Sequence, residues 1–485
     1  MNRIRQLLWP VVLLVLAGFT AARGAPVSEA EAVAAADVWY AMEINTGQVR
    51  LDSAERSERL QSMPMREVLY LISADSLLST RPADRPVLAY VVKYEPHTFV
   101  VVAGDDRMSP IVAFGTESDF SWEDPARNFL RHFIGTAVPL KWQQLGAATD
   151  RRWLRLRTKL GMDLRKARFD TDDVYLVWNT ALWDQWPYYN DTCVAHNGSN
   201  YVPAGCVATA LVIKMKFHEW PATGTGSHSY LDLWGGITYA HLVNYGATAY
   251  DWGEMPLTSL SAPNHEVARV MYHAGVSLES DYELGGTSAY FYRWEHALND
   301  HFRYKDADHS DGNHVGRTRS SVLARSPVLW GGANHAVVVD GYREPAPDDS
   351  FFHVNAGYSG SRTGWYSVDY MPSGGSGGGP VQENDAFGVP VNWIYVATDG
   401  GGSSEDGSIP YPFDLLSEGQ SQTPTGGWLL IKAGTYTGSG NVPITFQTAK
   451  TMVSYNAGTA NVDHKLTLTR QGRIDLVGNG QLKIY

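Results

Sequence analysis

The sequence predicts an α+β chain of three folded parts behind an export signal. Two compositional changes along its 485 residues carry that division. Up to about residue 150, short β-branched runs alternate with Ala- and Leu-rich helical stretches. From Val174 the chain turns rich in Trp, Tyr and Gly. Beyond a Gly/Ser linker near Gly400 it becomes a series of short Thr/Val/Ile/Leu strands. The expected boundaries are 1–24 for the signal, 25–168 for a first α+β unit, 169–398 for a central α+β domain and 399–485 for a small all-β segment. Such a length suits about three domains. Apolar content of 44% and charged content of 19% are those of a globular protein.

The elements follow in order. Arg3 and Arg5 precede the apolar run "LLWPVVLLVLAGF", and small residues follow in "TAARGA". That pattern is an export signal, with cleavage expected near Gly24 and a secreted or cell-surface location. The run is short for a bilayer span of about 20 residues, and no membrane span is expected once the signal is removed. Ser28, with Glu31 three residues on, reads as a capping box opening an Ala-rich helix. "VLAYVVKY" and "HTFVVVAGDD" read as strands joined by a polar turn around Glu95 and Pro96, and "SPIVAFG" as a third strand. "DPARNFLRHFIGTAVPLKWQQL" returns to helix. The basic stretch 151–170 reads as a solvated linker or a processing region, since exposed polar linkers are preferred cleavage sites.

In the central domain, "PVLWGGANHAVVVDGYREPAPDDSFFHVNAGYSG" reads as successive strands with Gly turns. "YMPSGGSGGGPVQEN" is a Gly/Ser loop. In the tail, "PFDLLSEGQSQTPTGGWLLIKAGTYTG" gives a short helix, a Gly turn and a strand. Further short strands suggest solenoid or sandwich packing, and the segment resembles the opening coils of a right-handed parallel β-helix. The formal charge of −12 argues against general electrostatic binding to nucleic acid or anionic membrane. Two cysteines, Cys193 and Cys206, are too few to staple an exported chain of this size; a single bridge between them would be regulatory.

Chemistry centres on "GCVATALVIKMKFHEWP". After Gly205 no Gly or Pro interrupts the run until Pro221, so a helix starts at or next to Cys206. Unpaired N–H groups at a helix start favour a thiolate, whereas a lone Cys in apolar company is often core filling. His335, in "GGANHAVVVDGY", stands at the mouth of an apolar strand 129 residues after Cys206. That is close to the roughly 130 residues that separate thiol and imidazole in one class of thiol proteases. Asn355 in "FFHVNAGYSG" is placed to orient the imidazole, with Asp340 as the alternative third member. Gln185, in "WDQWPYYN", is placed to join the Cys206 N–H in an oxyanion hole. Cys193 and His196 have C-x-x-H spacing without a second ligand pair, so no metal is expected.

Taken together, "WDQWPYYNDTC", "GCVATALVIKMKFHEWP", "NHAVVVDGY", "FHVNAGYSG" and "PSGGSGGG" resemble the streptopain family of secreted bacterial cysteine proteases, in family order. "HTFVVVAGDDRMSPIVAFGTESDF" resembles that family's inhibitory propeptide. The resemblance runs from about residue 28 to 396. It implies a papain-like catalytic domain made as an inactive zymogen, with Cys206 as nucleophile, His335 as general base, and Gln185 and Asn355 on the family's glutamine and asparagine. The expected partners are protein or peptide substrates and the chain's own propeptide, with no cofactor. Departures sit at Trp183, where the family has Asn, and at Ala356, Tyr358 and Ser359, where it has Trp, Trp and Gly. Those losses motivate a second reading, a papain-like binding module with weak or no catalysis. A third reading is a cysteine transferase or amidase on the same scaffold.

Overall fold

The computed structural model describes residues 24–484 apart from 50, 64, 74–75, 96, 117, 119, 121–128, 170–173, 194, 197–199, 312–313, 333–334, 347, 371–383, 401–403, 438, 442–443, 447–450, 463–465 and 469–480. The expected signal, the Gly/Ser loop 371–383 and the junction 170–173 lie outside the described residues. The chain divides into two units: residues 1–170 with 364–371, and 171–363 with 372–485. Among the described residues, no helix is long and apolar enough to cross a membrane.

The first unit opens on α1 (Glu29–Asn45), whose N-cap Ser28 accepts the Glu31 N–H at 3.2 Å. Its Ala-rich composition lets one face approach a sheet closely: Ala32, Ala35 and Ala36 are fully buried. Helix α2 (Ser53–Ser62) carries a reciprocal capping box between Asp52 and Glu55. The sheet is antiparallel, built from β1 (Met65–Ser73), β2 (Ser76–Leu78), β3 (Ala89–Tyr94), β4 (Thr98–Ala103) and β5 (Ile111–Gly115), in the order β2-β1-β3-β4-β5. β5 pairs on its other side with the strand Gly364–Ser367. Strands β4 and β5 are buried throughout, so they read as continuous apolar runs rather than alternating ones. α3 (Phe129–Gln143) follows.

The basic stretch differs from its sequence reading. Residues 151–157 form α4 (Arg151–Arg157), capped by Asp150, with Trp153 fully buried. Arg157 pairs with Glu31 at 2.6 Å and Asp106 at 2.9 Å, and Arg152 pairs with Asp150 at 2.7 Å. A buried indole and local carboxylates turn a run that looked like a solvated linker into part of the folded unit.

In the second unit, β6 (Val174–Val177) precedes α5 (Cys206–His218), the central helix. It is apolar nearly all round, and Val207, Leu211, Val212, Ile213 and Met215 are almost completely buried. Its lysines are held rather than solvated: Lys214 donates to the Pro327 carbonyl at 2.5 Å, and burial brings its pKa down to about 7. A hairpin of β7 (Ser227–Trp234) and β8 (Ile237–Asn244) and helix α6 (His265–Ser277) come next. Helix α7 (Val315–Leu323) leads into an antiparallel sheet of β9 (Val328–Gly332), β10 (His335–Ala346) and β11 (Asp349–Asn355). β6 pairs with the far half of β10, and β12 (Asn384–Ala386) with β9.

The tail's parallel ladder starts at β13 (Trp393–Val396), before Asp399. It runs through β14 (Trp428–Tyr436), β15 (Thr451–Val462) and β16 (Gln481–Ile484). The all-β class expected for this segment does not hold, because the short helix read in "PFDLLSEGQSQ" is present as α8 (Leu416–Gln422), between β13 and β14. Leu416 drives this, since it is fully buried with Val396, Leu429 and Ile431, and its N–H donates to Asn441 Oδ1 at 2.9 Å. Gly419 permits the fit, because a Cβ there would lie 2.2 Å from Val396.

Candidate active site

Gly205 precedes α5 at φ 90°, a value that favours glycine, and a Cβ there would stand 3.0 Å from Thr287. This turn delivers Cys206 as the first residue of α5. Burial pushes the Cys206 thiol pKa up, against the backbone N–H groups of Ala336, Cys206 and Val207, which pull it down. The first of those donors follows His335 directly, so the thiol of α5 lies against the first residues of strand β10. Cys193 is elsewhere in the core, with its pKa pushed up to about 12 by burial, and both thiols are free.

His335 begins β10 and is 4% exposed. Its Nε2 lies 3.0 Å from the Ala356 carbonyl oxygen, and its Nδ1 lies 3.4 Å from the Tyr358 hydroxyl. The Tyr358 ring stacks on the imidazole, with centroids 4.9 Å apart and planes 9° apart. Arg362 covers the same tyrosine ring at 4.6 Å. Burial lowers the His335 pKa to about 4; the Ala356 contact opposes this and the Arg362 charge adds to it. A carbonyl oxygen only accepts, so Nε2 carries the proton and Nδ1 keeps its lone pair.

Asn355 is close by, but its amide is not brought to the imidazole. Its Nδ2 donates to Thr180 Oγ1 at 2.9 Å and to the Ala181 carbonyl at 3.0 Å, and its Oδ1 accepts the Gly357 N–H at 3.1 Å. Asp340 is likewise directed elsewhere, to His353 Nδ1 at 2.6 Å and to the Thr180 hydroxyl. Gln185 is buried, and its main-chain carbonyl accepts the Ala204 N–H at 3.1 Å, two residues ahead of Cys206. The neighbouring Asp184 accepts from Ser359 Oγ at 3.0 Å, and the Ser359 N–H donates to the Trp183 carbonyl at 3.1 Å. The segment 180–185 is thus stitched both to the 355–359 turn and to the approach to α5. Trp183 anchors that segment, fully buried with Nε1 donating to the Pro256 carbonyl at 2.8 Å.

Sequence reasoning missed the Ala356 carbonyl, because a main-chain acceptor leaves no trace in residue type. It noticed Tyr358 only as a departure; an aromatic three residues beyond Asn355 was the available signal for a ring stacked on the imidazole.

A pH effect follows from the imidazole's burial. An unfolded His titrates near 6.5, and folded His335 and His273 titrate at about 4, so the unfolded chain binds more protons in between. Their contribution is full above the unfolded value and is lost as pH falls from about 6.5 towards 4. For His335 the loss reaches about 3 kcal/mol at pH 4. We expect the urea midpoint to drop across this window and the drop to be shallower in His335→Gln. Equal slopes would show that the imidazole is not held neutral.

Residues 183–366 match the model of the Peptidase C10 family, and residues 24–136 that of the Spi protease inhibitor. Streptopain of Streptococcus pyogenes is 24% identical over 313 residues, spanning 60% of this chain and 76% of that protein. The thiol protease/hemagglutinin PrtT of Porphyromonas gingivalis is 24% identical over 311 residues, spanning 59% of this chain and 34% of that protein. Among solved structures, a prointerpain A fragment of Prevotella intermedia aligns with a TM-score of 0.51 at 20% identity, covering 67% of this chain and 98% of that one, a likeness of fold. With the stitched Cys206 helix and His335 strand falling inside the first match and the α1–β5 unit inside the second, the chain carries a Peptidase C10 family domain of papain-like fold preceded by a Spi propeptide inhibitor domain.

Proposed function

We propose that the protein is a secreted cysteine endopeptidase made as a zymogen. The observation that supports this most is the thiol at the start of α5, hydrogen-bonded by the N–H that follows His335. Cys206 gives its proton to His335 Nδ1, the nitrogen that keeps its lone pair while Nε2 meets the Ala356 carbonyl, and its sulfur attacks the scissile carbonyl. The Gln185 amide and the Cys206 N–H stabilise the oxyanion. The imidazolium then protonates the leaving amine. Water, deprotonated by the same nitrogen, hydrolyses the thioester. Residues 25–168 block the cleft until the chain is cut between Arg151 and Asp170. With α4 folded, the stretch beyond Arg157 is the favoured place for that cut. Gln185 and the Cys206–His335 pair are the groups placed in contact with the reacting atoms; Asn355 acts through the turn it holds.

One observation favours a dormant binding module instead. Burial raises the thiol and lowers the imidazole, which holds both groups neutral. An epoxysuccinyl peptide probe separates the two readings. An endopeptidase labels at Cys206 far faster than a free thiol after conversion in reductant, and a peptide-library digest then reports its preferred residues. Labelling of converted protein at the rate of free cysteine, with no library cleavage, would sink the endopeptidase reading.

A further inference from the structure

Beside the imidazole runs a buried polar chain that neither the nucleophile nor the oxyanion site uses. His353 Nδ1 and the Thr180 hydroxyl both donate to Asp340, one to each carboxylate oxygen. Asn355 Nδ2 donates to Thr180 Oγ1, and Asn355 Oδ1 accepts the Gly357 N–H. Asp340, Thr180 and Asn355 are 2%, 3% and 1% exposed, so water does not substitute for any of these partners. The directions are mutually consistent: each group donates toward the carboxylate, which only accepts.

The last bond in the chain bears on the imidazole. The Gly357 N–H and the Ala356 C=O belong to one planar trans peptide, and they point opposite ways. Fixing the N–H on Asn355 Oδ1 therefore aims the carbonyl away from Asn355, and His335 Nε2 meets it at 3.0 Å. We propose that Asp340 and Thr180 are positioning residues for the His335 imidazole, acting through Asn355 and the Ala356–Gly357 peptide plane. This rests on the endopeptidase reading only for its effect on turnover; its effect on the imidazole stands without it. It also gives Asn355 a role different from direct contact with the ring.

The test compares Thr180→Val, which keeps the shape and loses the hydroxyl, with Thr180→Ser, which keeps the hydroxyl. In protein converted from the full-length chain, Thr180→Val is expected to lower kcat on a fluorogenic peptide at least about tenfold, with KM within about twofold, whereas Thr180→Ser stays near wild type. In parallel, 15N-labelled imidazoles are titrated in the unconverted Cys206→Ala chain, with His335 assigned by its loss in His335→Gln. Thr180→Val shifts the His335 titration and removes the Nε2–H signal of the Ala356 bond; Thr180→Ser preserves both. Should Thr180→Val fail to fold, Asp340→Asn carries the same comparison. Wild-type kcat together with an unshifted His335 titration in a folded Thr180→Val would overturn the proposal. A wild-type protein that hydrolyses nothing would overturn the endopeptidase reading, and the titration would still decide the polar chain.

Discussion

Purified Cys206→Ala precursor, held in reductant, is expected to stay at full length and to leave casein uncut, a loss of at least about a thousandfold against wild type. Alanine removes the sulfur without disturbing the helix start. Gly205 still makes the turn at φ 90°, and Thr209 still donates to the Gly205 carbonyl at 2.9 Å. The side chain is small and partly exposed, so stability should move by no more than about 0.5 kcal/mol. A trace of active wild-type enzyme should shorten the variant, which separates a lost nucleophile from a lost cleavage site. Gel mass and release of labelled casein peptides are the readouts. Conversion and hydrolysis at wild-type rates would remove Cys206 from the mechanism.

Tyr358→Ala is expected to lower kcat by about 10- to 100-fold, the scale on which a misplaced catalytic group costs rate. The ring is the imidazole's flat wall, 4.9 Å away and nearly parallel, and the Arg362 guanidinium presses on it. Without it His335 gains freedom to rotate about the single hold at Ala356. Tyr358→Phe keeps the wall and loses only the 3.4 Å hydroxyl contact, so a change of no more than about threefold is expected. Tyr358→Trp restores the residue that the family resemblance places there and should stay active. Tyr358 is 7% exposed, and its truncation also costs about 3 kcal/mol of stability, which a thermal melt must show the protein survives. An alanine variant that is folded and fully active would mean that the stack does nothing for the chemistry.

Much of this was legible before any coordinates. The uninterrupted run after Gly205 announced α5, because nothing in it breaks a helix and Gly205 alone supplies the abrupt entry. The β-branched run after His335 announced β10 in the same way. What the residues did not disclose is who touches the imidazole. Asn355 sits where an orienting amide was expected, but residue type does not reveal that its carbonyl group grips the Gly357 N–H instead. The basic stretch misled for a related reason: its charge was visible, but the burial of Trp153 beneath it was a tertiary fact. The tail's short helix was read in "PFDLLSEGQSQ", but not that Leu416 would pack among β13 and β14 residues that no local pattern connects to it.

Helix α5 carries Cys206 at one end and, at the other, Phe217 and His218. His218 meets Trp393 edge-on at 4.7 Å, and Trp393 stacks on Trp428 at 5.1 Å. Tyr395 of β13 donates to the Ala324 carbonyl, and Arg325 lies over the Trp428 ring at 5.7 Å. The parallel ladder therefore begins on a strand that is itself packed against the end of α5, and the tail is not joined like a bead on a string. A gene shortened at codon 399 would not yield a tidy peptidase: it would strip β13 of its parallel neighbour and leave Trp393 beside an open backbone edge, a template for self-association. Any shortened form must therefore also rewrite β13, because Trp393 is covered by Trp428 of the strand that would be removed.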